Sequence, residues 1–202
     1  VNPAGLAITP NNRFAYVANN NNYLIPGQDS VSVLDLKHNL PKQTITDASF
    51  NQPYTVTINS AGTKAYVTNS NSTTITVIDI ATNTVSGVIS GFDGPSGMVI
   101  SPFCNRGYVN NYGGPEGVGS GNGNTISIVN LNSNSIIGAP IVVGQAPAAL
   151  AISPDSAFVY VVNYVDGEIG TGTMSVIDTD SNTVVATVTG FSGPFSIALT
   201  PN

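Results

Sequence analysis

The sequence predicts an all-β fold built from a repeated four-strand unit, and three observations predict it. The tetrapeptide Tyr-Val-x-Asn occurs four times, beginning at Tyr16, Tyr66, Tyr108 and Tyr160. Self-similarity at such a period marks a repeat architecture. A proline stands 13 residues before every one of these tyrosines, at Pro3, Pro53, Pro95 and Pro147. Between the markers, β-branched residues alternate with small or polar ones and good helix formers are few, which is strand composition.

The first strand of each unit follows the proline, at 5–9, 54–59, 97–101 and 148–153, and again at 195–200 after a fifth proline, Pro194. Large apolar residues fall at the third and fifth positions after the proline, as in Leu6 and Ile8, Val56 and Ile58, Met98 and Ile100, or Leu150 and Ile152. Smaller residues lie between them, so the strand has a bulky face and a slim face. That shape suits a sheet packed between two neighbours that converge on an axis. A turn rich in Pro, Asn, Asp, Ser and Gly follows, for example Pro154-Asp155-Ser156.

The second strand carries Tyr-Val-x-Asn, and its asparagine is expected to close the strand by bonding backbone groups as the chain turns. The third strand alternates again, as in Ile75-Thr76-Val77, and ends at Asp35, Asp79, Asn130 or Asp178. A tight turn and a fourth strand, such as 84–89 or 183–189, complete the unit. Gly-Phe-x-Gly-Pro corners at 91–95 and 190–194 lead into the next.

Four antiparallel strands per unit, at this repeat length, make a propeller blade. The expected blades are 3–52, 53–94, 95–146 and 147–193, with the first strand of a further blade at 194–202. Taken together, the signature and its fixed proline offset resemble the YVTN family of β-propeller repeats, over essentially the whole chain. The third unit departs mildly, with Gly107 before the tyrosine and Asn130 in place of aspartate. The resemblance implies an exported microbial protein of surface-layer type, located extracellularly, at the cell surface or in the periplasm.

Composition narrows the partners. A net charge of −6, with 8% charged residues, offers no basic stripe to neutralise phosphates, so nucleic acid is excluded as a partner. No apolar run is long enough to insert through a membrane. The single cysteine, Cys104, rules out a disulfide framework within the chain. The chain opens at Val1 without a methionine and stops within a fifth unit. It therefore reads as a processed or truncated piece of a larger propeller, or as one that completes itself by strand sharing between copies through 194–202.

Catalytic groups are scarce. His38 is the only histidine and sits in a turn; Cys104 sits in another. No nucleophile elbow, His-Glu-x-x-His pair or phosphate loop is present. Asp35, Asp79 and Asp178 recur in successive units, which would spread them around a ring, so they read as turn caps and not as metal ligands. Catalytic residues, metal ligands and cofactors are accordingly all set at none, and the chain is expected not to be an enzyme.

What breaks the repeat is the connection between strands two and three. It is shortest at Asn71-Ser72 and expanded at 20–28, 112–124 and 164–172. These insertions should share one face with the inter-blade corners, and they bring Tyr23, Tyr112, Glu116, Tyr164, Asp166 and Glu168 to it. Aromatics and carboxylates on long loops suit a protein or glycan ligand. Asp166-Gly167-Glu168 could also offer oxygens to calcium, though it falls short of a loop motif. Asn71-Ser72-Thr73 is a formal glycosylation sequon. Three functions remain open: a non-enzymatic exported scaffold or binding module, a self-assembling surface-layer or filament protein, and a propeller enzyme.

Overall fold

The computed structural model describes residues 2–21, 28–113, 122–164 and 171–200. Those residues form sixteen strands in four antiparallel sheets, and the strands of each sheet follow one another in chain order. The first sheet comprises β1 (Asn2–Ile8), β2 (Phe14–Asn20), β3 (Ser30–Asp35) and β4 (Leu40–Ile45). Next come β5 (Pro53–Ile58), β6 (Lys64–Asn69), β7 (Thr74–Asp79) and β8 (Thr84–Ser90). The third holds β9 (Pro95–Ile100), β10 (Arg106–Asn111), β11 (Thr125–Asn130) and β12 (Ser135–Val142). The fourth holds β13 (Pro147–Ile152), β14 (Phe158–Asn163), β15 (Gly172–Asp178) and β16 (Thr183–Phe191). This is a β-propeller arc of four blades.

Successive blades touch through their first strands, β1 on β5, β5 on β9 and β9 on β13, which places those strands innermost. Burial follows the same radius. The second strand is mostly buried in every blade, β6 and β10 almost wholly, whereas β4, β12 and β16 are mostly exposed. Three apolar clusters fill the three blade-to-blade interfaces. Each contains the signature tyrosine of one blade and the second and third strands of both neighbours: Tyr16 with Val67, Tyr66 with Val109, Tyr108 with Val161.

The signature tyrosines are equivalent, as the fixed spacing requires. The register pairs Tyr16 with Val33, Tyr66 with Val77, Tyr108 with Ile128 and Tyr160 with Val176. The signature asparagines do more than bond backbone groups. The side-chain oxygens of Asn69 and Asn111 accept from the Asn51 and Asp93 N–H groups at 3.2 and 3.3 Å, and in all four blades the side-chain amide also donates to paired hydroxyls on the third strand. Asn69 reaches Thr74 at 3.1 Å and Thr76 at 3.0 Å; Asn19, Asn111 and Asn163 do the same to Ser30/Ser32, Thr125/Ser127 and Thr173/Ser175. The reason is reach: a short amide near the strand end spans two same-face hydroxyls of the adjacent strand, which recur every second residue.

Turn-capping by the acidic or amide markers is present in all four blades. Asp79 accepts from the Thr82 N–H at 3.0 Å, Asp178 from Ser181 at 2.8 Å, Asp35 from Lys37 at 2.9 Å, and Asn130 from Asn132 at 2.9 Å. The same turns place Asn39, Asn83, Asn134 and Asn182 at φ between 51° and 55°, a left-handed conformation asparagine tolerates.

Two expectations about the ends fail. Leu6 and Ile8 are 62% and 49% exposed, although their counterparts Val56 and Met98 are buried. That face of a blade packs on the preceding blade, and no described segment covers it in the first. Residues 194–200 belong to no sheet, although the pattern predicted a strand at 195–200. A first strand needs a second strand to pair with, and no described strand pairs with these residues. Phe195 turns instead onto Tyr164, ring edge to face, with centroids 5.9 Å apart.

Candidate functional site at the axial mouth

Strand direction puts the ends of all the second strands and the starts of all the first strands on one face, around the axis. A cavity of about 240 Å³ opens there. The first blade contributes Asn20, at the end of β2. The second contributes Gln52 and Tyr54 at the entry to β5, and Ser70 just past β6. Ser96 and Tyr112 come from the third blade, and Phe195 closes the fourth side. Amides, hydroxyls and aromatic rings make this wall, and among the described residues no Asp, Glu, Lys or Arg lines it.

Repeated geometry shapes the mouth. In the last three blades the residue after the signature asparagine bonds back to the residue before the blade's proline. Ser70 N–H donates to the Gln52 carbonyl at 3.1 Å, Tyr112 N–H to Gly94 at 3.1 Å, and Tyr164 N–H to Ala146 at 2.8 Å. Gln52, Gly94, Ala146 and Gly193 all have φ between 50° and 57°. The left-handed region costs a residue with a Cβ about 1–2 kcal/mol, which makes glycine the natural occupant. Gln52 and Ala146 are the exceptions there.

Beneath the rim, hydroxyls and an amide link the inner strands of neighbouring blades. The Thr55 hydroxyl donates to the Ser96 carbonyl at 2.5 Å, and the Thr68 hydroxyl donates to Thr55 Oγ1 at 2.8 Å, with the same carbonyl 3.3 Å away. Asn110 donates to Ser96 Oγ at 2.8 Å and to the Pro147 carbonyl. Because Ser96 Oγ accepts from Asn110, its own proton is directed elsewhere. Gly97 has to be glycine for this arrangement, since a Cβ would lie 2.6 Å from Asn110 Oδ1.

Of the six residues expected to bind ligand, Tyr112 stands in the cavity wall and Tyr164 packs on Phe195, itself part of that wall. Tyr23, Glu116, Asp166 and Glu168 lie outside the described residues, as does the candidate calcium segment Asp166-Gly167-Glu168. Loop length did not reveal Gln52, Tyr54, Ser70 or Ser96, because they belong to the repeat itself. The available signal was a residue-level break: Gly94 and Gly193 precede their prolines, whereas Gln52 precedes Pro53.

Elsewhere the titratable groups serve the frame. Burial, with the charge of Asp79 adding to it, pushes the Tyr16 phenol up to about 12. Burial also raises Tyr66 and Tyr108. Hydrogen bonds from Thr82 hold Asp79 below the usual carboxylate range, and bonds from Ser181 do the same for Asp178. His38 sits 3.1 Å from Asp35 in an exposed turn. Cys104 is exposed, with Sγ 3.0 Å from Ser101 Oγ.

A propeller arc with a cavity at its axial mouth places the chain among the β-propellers. The family follows from the sequence. The model of the family described as "Lactonase, 7-bladed beta-propeller" matches residues 1–102, so the chain belongs to that family. The PE-PGRS family protein PE_PGRS18 of Mycobacterium tuberculosis is 54% identical over 59 residues, 29% of this chain and 13% of that protein.

Among solved structures, the hydrazine synthase of Kuenenia stuttgartiensis superposes with a TM-score of 0.80 at 22% identity, over 93% of this chain and 49% of that one. A functionally unknown protein from Desulfotomaculum acetoxidans gives 0.71 at 19% identity, over 92% and 55%. The dihydro-heme d1 dehydrogenase NirN, in complex with DHE, gives 0.68 at 11% identity, over 94% and 38%. The chain thus spans about half the length of the first two, and likeness at these identities speaks to fold alone. The expectation that the chain is not an enzyme is overturned by its membership in a family of lactonases. The absence of a recognisable catalytic motif misled because a propeller site is assembled from several blades and leaves no contiguous signature.

Proposed function

We propose that the axial cavity is the substrate site of a propeller hydrolase that opens neutral cyclic esters. Its uncharged wall of amides, hydroxyls and aromatic rings carries this reading. A lactone has a flat, partly apolar ring and two oxygen acceptors but no charge, and such a wall matches each property without an ion pair. Tyr54, Tyr112 and Phe195 offer ring faces or edges, while Ser96 offers a hydroxyl proton to a carbonyl oxygen. Hydrolysis adds one water across the acyl C–O bond and yields a hydroxy acid. The product is an anion at neutral pH, which an acidic protein of net charge −6 repels, favouring release.

Tyr112, at the start of one insertion, stands in the wall. We take the setting to be outside the cytoplasm, on the support of composition and the resemblance to exported propellers. The test is acid release at constant pH by the full-length protein, given γ- and δ-lactones of sugar acids. Release above the spontaneous rate that disappears when Tyr112→Ala or Ser96→Ala is introduced supports the reading. Spontaneous rates with every lactone would refute it.

A further inference from the structure

Two of the chain's five Lys and Arg residues gather on one aromatic ring. The Arg13 guanidinium lies 5.0 Å from the centroid of Phe14, and the Lys42 ammonium lies 4.1 Å from it. Both cations break the repeat. Arg13 stands where the second blade has Thr63, and Lys42, in the bulge of β4, where it has Ser86. The cations at the position of Phe14 in the next two blades serve the frame instead. Beyond the Thr82 bonds, the charge of Lys64 favours the Asp79 carboxylate, and Arg106 donates to the Thr179 carbonyl at 3.4 Å.

A ring face attracts a cation without neutralising it. Two cations on one ring also sit within a Debye length, about 10 Å at 0.1 M salt, and repel each other. Among the described residues neither Arg13 nor Lys42 has an ion pair. The carboxylates of the adjoining turns are engaged locally. Asp35 takes the Lys37 N–H at 2.9 Å and lies 3.1 Å from His38, while Asp79 takes the Thr82 N–H at 3.0 Å.

The ring and both cations line a cleft of about 370 Å³ on the face opposite the axial mouth. It opens where the turn after β1 meets the turns after β5 and β7 of the next blade. Those turns are in contact, since a Cβ on Gly62 would lie 3.1 Å from Pro10 Cδ. Among the described residues no Asp or Glu lines the cleft. Its side-chain oxygens are committed to their own turn. Thr9 Oγ1 donates to Asn11 Oδ1 at 2.7 Å and accepts from the Phe14 N–H at 3.0 Å, and Asn11 Oδ1 accepts from the Arg13 N–H at 3.1 Å. What the side chains leave to offer is positive charge and N–H donors. The rest of the wall is apolar, with Pro10, Ala61, Ile80 and Ala81.

We propose that this cleft binds small organic acids, the carboxylate held by Arg13 and Lys42 and the apolar stem laid against Pro10 and Ile80. The planar guanidinium fork matches two carboxylate oxygens, and the ammonium adds a point charge beside it. A neutral molecule would leave both charges uncompensated. A bare inorganic anion would leave the apolar wall unused. The volume falls in the ordinary range for small-ligand sites. Nothing in this site draws on the axial cavity, which lies at the other end of the strands.

Calorimetry on the full-length protein tests it with four probes: hexanoate, its neutral analogue hexanamide, acetate and inorganic phosphate. Wild type binds hexanoate, tighter than acetate or phosphate, and does not bind hexanamide. Arg13→Gln and Lys42→Gln each weaken hexanoate binding about tenfold, the scale of one lost hydrogen bond to a charged group. Both side chains are exposed, so melting temperatures stay level, and should one variant unfold the other decides. Lys37→Gln, which removes a first-blade cation outside the cleft, leaves binding unchanged. The assignment is overturned if wild type fails to bind hexanoate, or if binding survives intact in both cleft variants. It is equally overturned if Lys37→Gln weakens binding as much as they do, which would reduce the effect to net charge. Phosphate binding tighter than hexanoate would overturn the carboxylate class.

Discussion

The phenol of Tyr16 donates a hydrogen bond of 2.5 Å to the side-chain oxygen of Asn83, 67 residues further along the chain. Tyr16 belongs to the second strand of the first blade, and Asn83 to the left-handed turn between the third and fourth strands of the next. The contact recurs between Tyr108 and Asn182 at 3.5 Å. Between the second and third blades it is missing: Tyr66 Oη and Asn134 Oδ1 are both buried without a partner.

The three tyrosines should therefore respond differently to loss of the hydroxyl. Tyr16→Phe strands a buried acceptor and should cost about 1 kcal/mol, within a range of roughly 0.5–1.5. Tyr66→Phe removes an unsatisfied group and should be neutral or stabilising. Urea unfolding of the two variants side by side decides it. Equal losses at both positions would mean that the Tyr16–Asn83 bond contributes nothing specific.

Alkaline pH provides an independent reading of the same contact. Burial favours the neutral phenol of Tyr16 and raises it to about 12, against about 10 in the unfolded chain. A group raised on folding lends stability that is complete below its unfolded value and is lost as pH climbs through its folded one. Wild type should lose stability between pH 10 and 12 more steeply than Tyr16→Phe does. Unfolding midpoints across that window, with phenolate absorbance near 295 nm, check the slope. Parallel curves would contradict it.

On the acid side the turn caps act in the opposite sense. Asp79 is held below the ordinary carboxylate range by bonds from the Thr82 N–H and hydroxyl. A depressed carboxylate contributes stability above its unfolded value, near 3.9, and loses it as pH falls through the folded one. Asn130 shows that an amide caps the same turn. Asp79→Asn should thus fold normally, be somewhat less stable than wild type at pH 6, and converge with it by pH 2–3. A stability gap that is independent of pH would rule out the titration.

How far the sequence could be read depended on where each interaction lies along the chain. The four sheets and the equivalence of Tyr16, Tyr66, Tyr108 and Tyr160 were legible, because strand periodicity and a fixed offset are local facts. The Asn69 fork onto Thr74 and Thr76 was hidden, since it requires knowing which faces of β6 and β7 align. Leu6 and Ile8 read as core because periodicity marks an inner face without showing what covers it. Gln52 was missed for another reason. Attention to insertion length passes over a position where one blade holds glutamine and two others hold glycine.

That comparison across blades leads to the last prediction. Asn20, Ser70, Tyr112 and Tyr164 each follow a signature asparagine, so they are four answers to one backbone position. For Ser70, Tyr112 and Tyr164 the N–H makes the same bond to the residue before the blade's proline. The Ser70 hydroxyl adds a bond to the Gln52 carbonyl at 3.0 Å, Tyr164 packs on Phe195, and Asn20, Ser70 and Tyr112 line the cavity. Tyr112→Ser copies what the second blade already tolerates, so thermal unfolding should shift by no more than a degree or two. Binding of a ring ligand should weaken markedly, because an aromatic face contributes on the order of 1 kcal/mol to such contacts, several-fold in affinity. Calorimetry with glucono-δ-lactam measures this. Unchanged affinity in a stable Tyr112→Ser protein would take the tyrosine out of the site, and a large drop in melting temperature would show that it supports the blade.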